Sequence, residues 1–168
     1  MPIEQNQSIG KSLFEEEEIK EAKKILDLAQ MSKTQIILPI DFISQNIKTQ
    51  EISNKTIKEI QNNDCIYDIG KETIKKFDKI IQKSKTIIFN GPLGLYVEKE
   101  FENGTKEIFQ SIKNSRAESF LGGGDTVDAL HDYNFKFEDF SHVSTGGGAM
   151  LTYLEGKKLP AVQILIKK

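Results

Sequence analysis

Apolar positions in this chain recur in two alternating rhythms. From Glu15 to Met31 they follow helical spacing. Ile19, Ala22, Leu26 and Ala29 share one face, with Ile25 and Leu28 beside it. The run Glu15-Glu16-Glu17-Glu18 opens this helix, where carboxylates favour the positive end of the helix dipole. Lys20, Lys23 and Lys24 follow at spacings suited to weak ion pairs, so the run reads as a solvated helix start and not a metal site. Ile36-Ile37-Leu38 is a short apolar run stopped by Pro39, which predicts a buried parallel strand. Ser44 to Asp64 is polar; it predicts a hairpin or irregular strands and carries no chemistry.

Lys71 to Lys83 returns to helical spacing, with Ile74, Phe77, Ile80 and Ile81 inward. Thr86-Ile87-Ile88-Phe89 reads as a β-branched strand closed by the turn residues Asn90-Gly91-Pro92. Thr105 to Lys113 is a helix carrying Ile108, Phe109 and Ile112 on one side, and Glu118 to Leu121 is the next strand. A helix follows through His131, then the short strand His142-Val143-Ser144. A last helix carries Met150, Leu151 and Leu154; Gly156 stops it, with Pro160 shortly beyond. Strands alternating with helices predict an α/β fold, a three-layer doubly wound (Rossmann-like) mainly parallel sheet. The order runs helix first, so the sheet is expected to be incomplete at its N-terminal end.

Three segments share one design, a strand running into a glycine-bearing loop. In a parallel sheet such loops emerge at the C-terminal edge, where α/β folds bind ligands. In Gly122-Gly123-Gly124-Asp125-Thr126 the glycines let backbone N–H groups approach an anion. Asp125 and Thr126 fall at the expected helix start, whose free N–H donors favour phosphate, and Thr126 can add a hydroxyl donor. An Asp aimed at a phosphate repels it unless a cation intervenes, which points to Mg²⁺ bridging. The other reading of the segment is a tight turn with Asp125 as a simple N-cap. Thr145-Gly146-Gly147-Gly148 repeats the arrangement after the next strand, as a second anion site, a hinge or an ordinary βα turn. Asn90-Gly91-Pro92-Leu93-Gly94 is common turn chemistry on its own; its weight comes from sharing the edge. No Walker-type P-loop, dinucleotide fingerprint, C-x-x-C, H-E-x-x-H or G-x-S-x-G occurs. His131 and His142 read as helix and strand-edge residues, not ligands.

Composition narrows the classes. The 168 residues suit one domain, since domains commonly run ~100–150 residues. The 23 basic residues against 25 acidic give a net charge of −2, without the basic excess of a nucleic-acid binder. No apolar run approaches the ~18–20 residues needed to cross a bilayer, so no membrane partner is expected. The polar stretch from Met1 to Leu13 makes a leader unexpected, and the single Cys65 fits a reducing, cytoplasmic compartment. Arg116 is the only arginine, too few for several bidentate guanidinium clamps.

At the glycine loops the sequence resembles a known family. Asn90-Gly91-Pro92-Leu93-Gly94, Gly122 to Thr126, and Ser144-Thr145-Gly146-Gly147-Gly148-Ala149 are similar in order and spacing to the nucleotide lobe of phosphoglycerate kinase. Further matches are Ile9-Gly10-Lys11-Ser12-Leu13, Leu38-Pro39 with Asp41, Asp68-Ile69-Gly70, Gly104-Thr105, and Leu154-Glu155-Gly156-Lys157 with Leu159-Pro160. The resemblance implies reversible phosphoryl transfer between 1,3-bisphosphoglycerate and Mg-ADP, giving 3-phosphoglycerate and ATP in glycolysis. It implies that Gly122, Gly123, Gly124, Asp125 and Thr126 meet the nucleotide phosphates and that Asp125 holds Mg²⁺, with ADP or ATP as the bound nucleotide. Asn90, Gly91 and Pro92 resemble a wall of the nucleotide cleft. Thr145, Gly146 and Gly147 resemble the loop near the transferring phosphate, and with Gly123 and Gly124 make the implied catalytic set.

On the same resemblance residues 1–168 form a partial nucleotide lobe, and the acceptor-binding lobe is expected to be absent. Phosphoglycerate is then a partner only if another chain supplies that lobe. Two departures fall inside the match. The family has Glu where Val97 stands, and Gly close to the adenosine where Ile66 stands, so the phosphate end reads as intact and the adenosine end as altered. The alternative is a non-catalytic nucleotide-binding fragment or a decayed remnant. Loss of opening strands from a parallel sheet predicts an exposed apolar face and an unpaired edge, hence poor stability or self-association.

Overall fold

The structure is a computed structural model and describes residues 8–166. Residues 1–7, the first part of the polar N-terminal stretch, lie outside the described residues, as do 167–168. The chain forms two compact units. One runs through Phe77 and takes in Leu93–Gly104; the other comprises Asp78–Pro92 and the chain from Thr105 onward.

The first unit begins with helix α1 (Glu18–Met31). Its least exposed positions are the expected ones: Ala22 is buried and Ile19, Leu26 and Ala29 half-buried, while Ile25, Leu28 and Met31 stay exposed. The helix starts at Glu18, so Glu15 to Glu17 precede it and Glu18 and Glu21 occupy its first turn. The polar stretch forms a hairpin of β1 (Asp41–Asn46) and β2 (Ile52–Thr56), and β3 (Asp64–Ile69) adds antiparallel on the other side. The order is β2-β1-β3.

Asp41, at the start of β1, caps helix α2 (Lys71–Ile81) from a distance. Its carboxylate accepts the N–H of Thr73 at 2.7 Å, that of Glu72 at 3.1 Å and the Thr73 hydroxyl at 2.6 Å. Burial pushes this carboxyl up. The bonds from the Thr73 hydroxyl, the Glu72 N–H, Asn54 and the Thr73 N–H outweigh it and leave it below the usual range.

Two expectations need correction in this part of the chain. Ile36-Ile37-Leu38 is not a buried parallel strand. No strand among the described residues lies alongside to complete a ladder, and Ile36 and Ile37 are each 37% exposed. Ile80 does not point inward; α2 ends one residue later and leaves it exposed.

The second unit is the parallel α/β part. Strands β4 (Thr86–Asn90), β5 (Glu118–Gly122) and β6 (His142–Ser144) lie side by side in that order, all parallel. Helix α3 (Asn103–Asn114) connects β4 to β5, and α4 (Gly124–Asp132) leads from β5 toward β6. Right-handed crossovers stepping in one direction place both helices on one face. There Ile108, Phe109, Ile112, Leu121, Ala129 and Leu130 are buried. Phe109 is the hub, 5.1 Å from Phe89 and 5.6 Å from Phe135 between ring centroids, both edge-on. Such aromatic pairs add ~0.5–1.5 kcal/mol each beyond their burial. After β6 come α5 (Gly147–Leu154) and α6 (Pro160–Ile166). Gly156 ends α5 at φ +74°, as expected. Pro160 does more than follow that stop: it opens α6, where its fixed φ and missing N–H suit a first turn.

Candidate functional site

Strands β4, β5 and β6 finish level with one another. Asn90 lies opposite Gly122, and Gly122 opposite Ser144. The loops that follow therefore leave the same edge of the sheet, as the sequence pattern predicted. Helix α4 begins immediately, with Gly123 as N-cap at φ +109° and ψ 145°. That conformation is closed to ordinary side chains. A Cβ on Gly123 would also stand 2.9 Å from Asn90 Oδ1.

The first bond of the α4 ladder runs from the Val127 N–H to the Gly123 carbonyl, so the N–H groups of Gly124, Asp125 and Thr126 have no partner within the helix. No side chain caps this terminus. Helix α5 repeats the arrangement. Gly146 is the N-cap, Met150 donates the first bond to its carbonyl, and no side chain caps Gly147, Gly148 or Ala149.

The two termini touch backbone to backbone. A Cβ on Gly147 would lie 2.5 Å from the Gly123 Cα and 2.7 Å from its nitrogen. Gly122 serves the packing beneath, since a Cβ there would meet the Met150 methyl and sulfur. Gly124, Gly146 and Gly148 are exposed, and the space beside Gly124 and Gly148 is open. Each helix start carries about +0.5 of an elementary charge from its dipole. Two uncapped helix starts in contact, each with glycine at its N-cap and first position, have the geometry to cradle an anion with several oxygens.

Asp125 is exposed in the first turn of α4, one residue past the start, and is not the N-cap; that position belongs to Gly123. Thr126 departs from its expected role as a hydroxyl donor to phosphate. It is fully buried, and its hydroxyl accepts the Gly91 N–H at 2.9 Å, which ties the β4 loop to α4. Its backbone N–H still belongs to the uncapped turn. Asn90 and Thr145 are exposed beside the cradle, Pro92 is half-buried, and Gly91 sits at φ +89°. Gly147 is buried, and its part in the site is the close contact with Gly123. His131 packs on Phe137 at the end of α4 and His142 on Phe120 in the sheet, matching their structural reading.

Among the described residues no group of three or more His, Cys, Asp or Glu side chains could hold a metal ion. Asp125 could do so as a single carboxylate completed by ligand oxygens and water. That is the donor pattern of Mg²⁺, which keeps its waters and takes one or two carboxylates plus phosphates.

The first unit contains a separate apolar cleft of about 520 Å³. Ile66 on β3 lines it with Ile9, Leu13, Phe14, Phe42 and Leu95. Val97 is 63% exposed. Sequence reasoning named Ile9 to Leu13, Ile66 and Asp68-Ile69-Gly70, but not that they line one cleft, because they come from separate stretches of the chain. Nor did it foresee that Asp68 is nearly fully buried on β3. Asp68 accepts the Gly104 N–H at 2.6 Å and the Ile69 N–H at 2.8 Å, yet burial raises its carboxyl to about 6.

A family model described as phosphoglycerate kinase matches residues 2–157. The phosphoglycerate kinase of Wigglesworthia glossinidia brevipalpis is 49% identical over 162 residues, covering 95% of this chain and 40% of the relative. That of Finegoldia magna is 44% identical over 163 residues, covering 96% and 41%. Among solved structures, the phosphoglycerate kinase from Coxiella burnetii superposes with a TM-score of 0.88 at 37% identity, over 96% of this chain and 42% of that one. The one from Pyrococcus horikoshii OT3 gives 0.72 at 30% identity. The chain thus spans about 40% of the length of the curated relatives it matches. With the family model matching nearly end to end and the parallel sheet superposing on solved members, the chain belongs to the phosphoglycerate kinase family.

Proposed function

We propose that this chain provides the nucleotide-phosphate end of a phosphoglycerate kinase, which moves a phosphoryl group between 1,3-bisphosphoglycerate and Mg-ADP to give 3-phosphoglycerate and ATP. One observation carries the reading: the uncapped starts of α4 and α5 meet at one edge of a parallel sheet, with the Gly147 Cβ position 2.5 Å from the Gly123 Cα. The N–H groups of Gly124, Asp125 and Thr126 bind one set of phosphate oxygens, and those of Gly147, Gly148 and Ala149 the adjoining set. Charge that builds on a phosphoryl group in flight is stabilised by these fixed dipoles, which need no reorganisation at the moment of transfer. Asn90 and the Gly91-Pro92 turn wall the site, and the Thr126 hydroxyl keeps that wall in register. Asp125 would hold Mg²⁺, which when bound bridges and neutralises the phosphates. The acceptor and its binding lobe are outside what these residues supply.

Val97 favours a second reading, a nucleotide-phosphate binder without turnover. It is exposed and apolar where the family places an acid. Calorimetry checks the shared part of both. Mg-ADP is expected to bind the 168-residue chain, and Asp125→Ala is expected to bind ADP equally with and without Mg²⁺. No heat from Mg-ADP, ADP or pyrophosphate would overturn both readings. The two separate by turnover from ATP and 3-phosphoglycerate once the rest of a family member's length is added. Turnover supports the kinase reading, and binding without turnover supports the second.

A further inference from the structure

We propose that Asn90 is a deamidation site built into the wall of the phosphate cradle. Its side-chain amide is lost by attack of the Gly91 nitrogen, at a rate set by the Thr126 hydroxyl, and the carboxylate that replaces it competes with phosphate for the start of α4. The modification is independent of the function proposed above; its effect on anion binding rests on that reading.

The chain contains two Asn-Gly pairs, Asn90-Gly91 and Asn103-Gly104. Such pairs are prone to an intramolecular reaction, because glycine has no side chain to hinder ring closure and reaches backbone conformations closed to other residues. The glycine nitrogen gives up its proton to base and attacks Cγ of the asparagine. The N–Cγ bond forms, the Cγ–Nδ2 bond breaks, and Nδ2 leaves as ammonia with a proton taken back from solvent. Water then opens the cyclic imide at either of its two carbonyls. One product is aspartate. The other is isoaspartate, in which the main chain runs through the former side chain. Each carries one new carboxylate, and nothing is oxidised or reduced.

Both glycine N–H groups are held by side chains far along the chain, but unequally. The Gly104 N–H donates to the carboxylate of buried Asp68 at 2.6 Å. Gly104 is buried too, and a Cβ there would collide with that carboxylate. Asp68 titrates at about 6 and is an anion in mildly alkaline buffer, where loss of the Gly104 proton would set two negative charges side by side. The Gly91 N–H donates to a neutral partner, the Thr126 hydroxyl, at 2.9 Å. Asn90 is exposed, Gly91 is half-buried at φ +89°, and its Cβ position has nothing within 4 Å. Asn90-Gly91 is thus the pair with room to close the ring.

Position gives the reaction its consequence. Asn90 Oδ1 stands 2.9 Å from where a Cβ of Gly123 would be, beside the N-cap of α4. A carboxylate there is drawn to the positive end of the helix, so it supports the fold while repelling an incoming phosphate. Damage to the fold would lower stability and binding together; this carboxylate lowers binding alone.

The test incubates the folded 168-residue chain in mildly alkaline buffer and follows both Asn-Gly peptides by mass spectrometry. Asn90 is expected to be lost roughly tenfold faster than Asn103, since the bond to a carboxylate is the stronger one, and the two rates are expected to converge in urea. Thr126→Val is expected to speed the loss at Asn90 roughly fivefold, the worth of one neutral hydrogen bond, and Thr126→Ser, which keeps the hydroxyl, to stay near the parent rate. Circular dichroism shows whether Thr126→Val keeps the fold; if it does not, the order of the two rates in the parent decides. Asn90→Asp is expected to melt no lower than the parent and to bind inorganic pyrophosphate, without Mg²⁺ to bridge the charges, roughly fivefold more weakly. Loss at Asn103 as fast as at Asn90 would overturn the proposal. So would a folded Thr126→Val chain with the parent rate, or an Asn90→Asp chain that binds pyrophosphate as tightly as the parent. If the parent binds no pyrophosphate, the proposed function and the effect on binding fail together, while the two rates still decide the modification site.

Discussion

Gly147 and Gly148 are neighbours with opposite requirements. A methyl group on Gly147 collides with the Gly123 backbone at 2.5 Å, and backbone cannot swing aside as a side chain can. Gly147→Ala is therefore expected to separate the two helix starts. The cost of such overpacking is ~1–3 kcal/mol, a fall of roughly 2–12 °C in Tm at ~2–4 °C per kcal/mol. Gly148 has nothing within 4 Å of its Cβ position and lies in the first turn of α5. Gly148→Ala is expected to leave Tm unchanged or raise it slightly, because alanine loses less backbone entropy on folding. Thermal melts of the two variants check the pair. Equal effects would mean that contact between the helix starts does not hold the site together.

Among the elements, what was legible in the sequence depended on whether the signal was local. The α3 face of Ile108, Phe109 and Ile112 was readable because helical spacing and burial coincide there. The level ends of β4, β5 and β6 were readable because each strand runs straight into glycine. Ile36-Ile37-Leu38 misled because an apolar run marks a strand only where another strand pairs with it. Thr126 could not be read from its neighbours, since its partner, the Gly91 N–H, is thirty-five residues away. The same holds for Asp68, whose partner within the first unit, the Gly104 N–H, is thirty-six residues away. Burial raises its carboxyl to about 6, against the lowering effect of the N–H groups of Gly104 and Ile69.

The sign follows from linkage. Between an unfolded value near 3.8 and about 6, the folded chain holds a proton that the unfolded chain has released. The contribution of Asp68 to stability is thus greatest below about pH 4 and is lost as pH rises through about 6. The gap in unfolding free energy between the parent and Asp68→Asn is expected to shrink by on the order of 3 kcal/mol from pH 4 to pH 7. Urea titrations across that range measure it, and a gap that stays constant would contradict the assignment.

At the scale of the whole molecule, one edge of a parallel sheet presents two bare helix starts and one carboxylate, and nearly everything else around them is support. The proposed nucleotide-phosphate role draws on those amides, since the loops 90–92, 122–126 and 144–148 themselves contain no lysine or arginine. Ile88 on β4 is 51% exposed, and β4 is an edge strand of its sheet among the described residues. The most direct measurement is a titration of the isotopically labelled chain with Mg-pyrophosphate, followed amide by amide in NMR spectra. The amides of Gly124, Asp125 and Thr126 in α4 and Gly147, Gly148 and Ala149 in α5 are expected to shift together and saturate together, with Asp125→Ala removing the dependence on Mg²⁺. Shifts that avoid both helix starts, or that scatter over the surface lysines without saturating, would contradict the account.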